Sequence, residues 1–215
     1  MQSVRSQLFD GISDAECSRM FECFGAREAS YEAGELICEF DGTQSAVGVL
    51  LSGSADLLRL DEDGNRTLLE TLGEGGVFGE VLAFSGAGGD STFLECRQDC
   101  RIVYLNYDQI TKRCENACTH HSLLVQNLFR LLSTKTLRLS ERVEVLSRRS
   151  IREKLMCYFE QQLRECGGSS FTLPFSFSAL ADYISADRSA MMRELKKLRD
   201  EGVIHTENRR VTVLQ

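Results

Sequence analysis

The sequence predicts an α+β protein in three parts: an N-terminal antiparallel β unit, a long helix, and a C-terminal winged helix-turn-helix. Three observations carry that prediction. From about Ala33 to Tyr107, short β-rich segments alternate with Gly- and Asp-rich breaks; from Asn106 to Cys166 there is neither Gly nor Pro; and after Ser147 two tightly joined helices precede two strands. The boundaries expected are residues 1–122, 123–146 and 147–215.

The β unit is read from "GELICEF", "GVLLSG", "SADLLRL", "RTLLETL", "STFLECR" and "RIVYLNY", separated by "FDGTQS", "DEDGN" and "GEGGVFG". Asp63-Gly64 lies between two strand-like runs and marks a hairpin, because Gly accepts the positive φ that a tight turn requires.

In the long segment Val125, Phe129, Leu132, Thr136, Leu139, Val143 and Leu146 recur at spacings of four and three, and all but Thr136 are apolar. Alternating four-three spacing is the seam of a coiled coil, so a second helix, most simply from another copy of the chain, is expected to pack along it. The alternative is a helix buried against its own domain, for which Leu124, Leu128 and Leu131 supply an adjacent face.

The last part has its own punctuation. "IREKLMCYFEQQL" reads as a helix stopped by "CGGSS", and "FTLPFS" reads as extended. The next helix has Ser176 as N-cap, with Phe175 and Leu180 at the two positions of a hydrophobic staple. Asp187 caps the second helix after only "SAD", and small Ala181 lies where the two must cross closely. A strand, a turn at Asn208-Arg209 and another strand complete a winged helix-turn-helix, a device that places its second helix in the major groove of DNA. Met191, Leu195 and Leu198 at i, i+4 and i+7 form the buried stripe of that helix. Arg188, Ser189, Met192, Arg193 and Lys196 are left pointing out as candidate DNA contacts. A guanidinium fork there suits the N7 and O6 of guanine, or a phosphate.

Composition agrees with a folded globular protein. The 215 residues are 42 % hydrophobic and 27 % charged, and no run approaches the roughly 18 to 20 apolar residues of a membrane span. No secretory signal opens the chain, so a cytoplasmic protein without membrane contact is expected, and its nine scattered cysteines are expected to be reduced. The net charge of −7 is unevenly spread. Ser147 to Gln215 holds 12 Lys or Arg against 9 Asp or Glu, while the remainder holds 13 against 23, so a localised contact with a polyanion falls at the C-terminal end.

The glycine-punctuated segments "AGELICEFDG", "LLSGSADL" and "DEDGNRTLLETLGEGGVFGE", the helix ending "LSERVEVL" and the stretch "FSALADYISADRSAMMRELKKLRDEGVI" together resemble the Crp/Fnr family of bacterial transcription regulators over nearly the whole chain. The resemblance implies that the β unit is an effector-sensing β-roll, a cyclic-nucleotide-binding-like double-stranded β-helix. It also implies that the long helix pairs two protomers, that the homodimer reads a palindromic site in double-stranded DNA, and that RNA polymerase is a partner. Arg188, Ser189 and Arg193 match the family's base-reading positions. Members that bind cyclic AMP use a Phe-Gly-Glu cassette, seen here as Phe78, Gly79 and Glu80, followed by an Arg-Ser pair. This chain has Asp90 and Ser91 instead, and Asp repels the phosphate that Arg would neutralise. Gly79, Glu80, Asp90, Ser91, Leu139 and Ser140 are the candidate effector contacts that the resemblance implies.

The cofactor is left open, with a small-molecule effector and a metal as the two candidates. Cys114, Cys118 and His121 in "CENACTHH" share one helical face and form a candidate site for zinc or another soft metal, with free Cys packing as the plain alternative. A disulfide between Cys114 and Cys118 does not fit helical geometry. Haem on His120 or His121 is not singled out, and Cys17 with Cys23 is too few ligands for an iron–sulfur cluster. No nucleophile elbow, zinc-protease motif or phosphate loop of the Walker type is present, which points away from an enzyme. The competing reading is a nucleotide- or metal-binding regulatory module whose C-terminal helices contact a protein.

Overall fold

The computed structural model describes residues 5–40, 46–64, 66–80, 92–111 and 119–214. Chain contacts divide it into two units, 1–133 and 134–215, each with its own core.

The first unit begins with a single turn of 3₁₀ helix, Gln7–Phe9, and helix α1, Asp14–Cys23, neither of which the sequence pattern announces. Helix α1 opens with a capping box between Ser13 and Glu16. The sheet that follows is antiparallel throughout, with β1 (Arg27–Tyr31), β2 (Leu36–Glu39), β3 (Ala46–Leu60), β4 (Arg66–Leu72), β5 (Val77–Phe78) and β6 (Thr92–Asn106). Strands β3 and β6 pair from Ala46 with Asn106 to Arg59 with Thr92; β1 and β2 add to β6, and β4 and β5 add to β3.

Here the structure departs from the segment-by-segment expectation. "GVLLSG" and "SADLLRL" are one strand, and "TFLECR" and "RIVYLN" belong to another. Each bends through bulges near Ser52 to Ala55 without ending. Gly53 permits this: its φ is +86, and a Cβ there would lie 2.1 Å from the Asp99 carbonyl oxygen. The hairpin at Asp63-Gly64 is present as expected, with the Gly64 N–H donating to Asp61 O at 3.0 Å.

Short helix α2 (Tyr107–Thr111) precedes α3 (Thr119–Leu146), whose inner face enters both cores. Leu124, Leu128 and Leu131 pack with Leu8, Phe9, Phe21, Val49 and Val103, whereas Val145 joins the core of the second unit. The opening segment is pinned at two places. Ser6 Oγ donates to Gly75 O at 2.7 Å, and buried Asn127 of α3 donates through Nδ2 to Leu8 O at 3.2 Å and Asp10 O at 2.8 Å.

The second unit contains α4 (Ile151–Cys166), β7 (Ser170–Thr172), α5 (Phe177–Tyr183), α6 (Arg188–Asp200), β8 (Ile204–Glu207) and β9 (Arg210–Val213). Ser150 starts α4 with a capping box to Glu153, and Gly167 ends it in the left-handed conformation. The extended "FTLPFS" supplies β7, which pairs with β9 and gives the wing a third strand. Tyr158, Phe159, Phe171, Phe175 and Tyr183 form an aromatic cluster beneath α5. Among the described residues no helix is long and apolar enough to cross a membrane.

Asn127→Ala removes the donor for two backbone carbonyls, one of them buried, and is expected to lower unfolding free energy by about 1–3 kcal/mol in a chemical denaturation experiment.

Candidate nucleic-acid interface

Helices α5 and α6 form the helix-turn-helix. Ser176 Oγ accepts from Ala179 N at 3.2 Å and Asp187 Oδ1 from Ala190 N at 2.8 Å, so both sequence-read caps are made. The turn between them depends on Ser185, whose φ is +49, and is closed by Ala186 N donating to Ala181 O at 2.9 Å. Ala181 is buried there, and a larger side chain has no room at the crossing.

Met191, Leu195 and Leu198 are buried, which turns the opposite side of α6 outward. Arg188, Ser189, Met192, Arg193 and Lys196 are all exposed on it, with Met192 retaining 39 % of its surface. Among the described residues the cations at 188, 193 and 196 have no ion-pair partner, while three of the neighbouring acids are occupied, Asp187 by its cap, Glu194 by Arg152 and Lys197, and Glu201 by Arg152; Asp200, in the last turn, is exposed. The outward side of α6 therefore presents unneutralised positive charge.

The wing adds a cation that the motif reading did not single out. Asn208, at φ +52, turns the chain between β8 and β9 and leaves Arg209 exposed at the tip. Arg199 of α6 donates to Thr206 Oγ1 at 3.2 Å, tying the end of the helix to the wing. A tip residue carries no periodic signal, but the Asn-Arg-Arg run was legible as charge at a turn.

Of the residues expected to contact an effector, Gly79 and Glu80 lie in the first unit. Phe78 is buried edge-on to Tyr104, with ring centroids 6.0 Å apart, and Glu80 is also buried. Gly79 has φ +80, and a Cβ there would stand 2.8 Å from Ala46 O, so the cassette glycine has a local structural reason to be glycine. Asp90 and Ser91 lie outside the described residues. Leu139 and Ser140 are exposed.

On α3 the expected seam is partly open: Phe129 retains 67 %, Leu139 63 % and Val143 54 % of their surfaces, and Thr136 is exposed. Val125, Leu132 and Leu146 are half-buried, Leu132 against the first unit's own core. Leu137 is also exposed, off the four-three positions.

Of the expected metal ligands, Cys114 and Cys118 lie outside the described residues. His121 is engaged locally: its Nε2 lies 2.6 Å from Ile110 O, and its ring meets Phe24 edge-on at 5.6 Å. His120 pairs with Glu16 at 2.8 Å. Inside the roll, Cys96 and Cys100 are buried and both donate to Gln98 O at 3.0 Å. Burial pushes the Cys38 and Cys100 thiols up to about 12, which keeps them protonated at neutral pH.

Family comparison agrees with this geometry. A model described as a cyclic nucleotide-binding domain matches residues 28–117, and one described as a Crp-like helix-turn-helix domain matches residues 143–215. The chain belongs to the Crp/Fnr family. It is a DNA-binding transcription regulator, and its domains are those of regulators rather than enzymes. The global nitrogen regulator of a Nostoc species is 25 % identical over 170 residues, covering 76 % of this chain and 74 % of that protein. The Thermus thermophilus catabolite activator protein shares the fold at TM-score 0.56 and 23 % identity, covering 97 % of this chain and 93 % of its own. A CooA variant from Carboxydothermus hydrogenoformans does so at TM-score 0.70 and 15 % identity, covering 99 % and 93 %.

Burial and protonation make a sharp expectation for this Crp/Fnr protein. Native alkylation with iodoacetamide at pH 8 should label exposed Cys23 and Cys166 well before Cys38, Cys96 and Cys100, read by peptide mass mapping over time.

Proposed function

We propose that this chain acts as a homodimer that reads a palindromic DNA site with α6 of each protomer in the major groove, under control of an effector sensed by the β-roll. The observation that carries this reading is the outward side of α6, where Arg188, Arg193 and Lys196 stand exposed and unpaired among the described residues beside Ser189 and Met192. Arg188 and Arg193 are the base-reading forks, and Lys196 with Arg209 of the wing contacts phosphate. Each protomer reads a half-site, with the half-sites about one helical turn apart.

The dimer forms along α3. Burying Phe129, Leu139 and Val143 against a second copy removes apolar surface from water, and Thr136 is the one polar position in the seam. The effector is not cyclic AMP, because Asp90 takes the position at which an arginine would meet the cyclic phosphate. Gly79, Glu80, Asp90, Ser91, Leu139 and Ser140 are the proposed effector contacts, and RNA polymerase is the further partner of the DNA-bound dimer. The competing reading, in which the outer side of α6 meets a protein, has no observation in its favour.

Selection from random duplex DNA is expected to return a palindromic consensus. Arg188→Ala and Arg193→Ala should each cost about 1–3 kcal/mol at the selected site and relax its sequence preference. Variants that bind that site as well as the parent protein overturn the assignment of α6. Adding cyclic AMP should leave the enrichment unchanged.

Phe129→Glu and Val143→Glu together should shift the protein from dimer to monomer in sedimentation equilibrium while leaving the monomer folded, because both side chains are exposed in the isolated chain. A variant that sediments as the parent does would remove the α3 seam as the dimer interface.

A further inference from the structure

Helix α4 packs beside α6, and its first turn carries two cations that reach the helix-turn-helix. Arg152 binds both Glu194, with Nη1 and Oε1 3.5 Å apart, and Glu201, which it grips through both Nη atoms, one of them at 3.1 Å. Two residues later, Lys154 Nζ donates to Ile184 O at 3.0 Å, the carbonyl that precedes the left-handed turn residue Ser185. Helix α4 therefore holds α6 at the turn that leads into it, in its middle, and just past its last residue.

The acids involved are badly placed for a DNA-reading helix unless something occupies them. Glu194 directly follows Arg193, and Glu201 is the C-cap of α6. Hydrogen bonds from the Arg152 guanidinium hold the Glu201 carboxyl below the usual carboxylate range. A carboxylate released toward the phosphates would repel them across a Debye length of about 8–10 Å at physiological salt. Arg152 is itself poorly placed to bind phosphate, because its guanidinium is already shared between two carboxylates.

We propose that Arg152 is a positioning residue for DNA recognition, fixing α6 through Glu194 and Glu201 and keeping both carboxylates away from the side that carries Arg188, Arg193 and Lys196. The proposal rests on the reading above of which side of α6 meets DNA. Partly exposed ion pairs contribute little to stability, so the effect should appear in DNA binding more than in unfolding.

The test is a cycle of variants, Arg152→Ala alone and in a Glu194→Gln, Glu201→Gln background, with Glu201→Gln alone as a milder lesion at an exposed position. Affinity is measured across a salt series on a duplex carrying the site selected by the parent protein. Arg152→Ala should weaken binding roughly threefold to tenfold. Salt screens the released carboxylates, so the slope of log affinity against log salt should fall in magnitude by well under one, and the double Glu→Gln background should abolish most of the loss. A direct phosphate contact behaves differently: the slope falls in magnitude by about one and the Gln background rescues nothing. That result, or parent-like affinity of Arg152→Ala, overturns the proposal. Amide exchange without DNA reads the tie separately. Faster exchange in the last turn of α6 in both Arg152→Ala and Glu201→Gln is expected. Unchanged exchange removes the tie itself, whereas failure of the selection to yield any site counts against the DNA-reading assignment and not against the tie.

Discussion

Helix α3 sets the constraint around which the chain is organised, because one uninterrupted run of 28 residues must bury side chains in two separate cores. Leu124, Leu128 and Leu131 are taken by the first unit and Val145 by the second. With 3.6 residues per turn, committing these positions leaves an adjacent face on which Phe129, Thr136, Leu139 and Val143 must stand outside. Among the described residues the apolar members of that face belong to neither core, and a second copy is the proposed cover. The same helix anchors the opening segment through Asn127, so its position is tied to the loop at Gly75 by way of Leu8, Asp10 and Ser6.

In the second unit the physics is a matter of subtraction. Three apolar residues of α6 are buried, the acids at 187, 194 and 201 are occupied by a cap or by Arg152, and on the exposed surface the cations at 188, 193 and 196 outnumber the one remaining acid, Asp200. Recognition of a polyanion needs no deep pocket, only a rigid helix whose exposed charges are not cancelled by their neighbours. Tyr158, Phe171, Phe175 and Tyr183 below, and Lys154 and Arg152 alongside, supply that rigidity.

In the first unit the interior of the roll is apolar and sulfur-bearing, and its thiols are satisfied by backbone carbonyls of Gln98, Ser54 and Tyr31. Buried, hydrogen-bonded thiols are packing elements, so the many cysteines do not make the roll a thiol sensor by their number. The Tyr31 and Tyr104 hydroxyls, 2.9 Å apart, place a polar pair beside Phe78 in the same interior.

What the sequence determined by itself is local. The caps at Ser176 and Asp187, the turns at Asp63-Gly64 and Asn208-Arg209, the stripe of Met191, Leu195 and Leu198 and the four-three repeat of α3 all depend on residues within a turn or two of each other, so their spacing is the signal. The family resemblance is carried by the same short motifs. Tertiary structure decided what depends on distant partners. Pairing across the sheet joined two pairs of segments into single bent strands, and hydrogen bonds across 69, 117 and 119 residues fastened the opening turn to the roll and to α3. Arg152 found Glu194 and Glu201 at separations of 42 and 49 residues. Such contacts leave no periodic trace along the chain, because each depends on where two elements come to rest and not on the pattern within either.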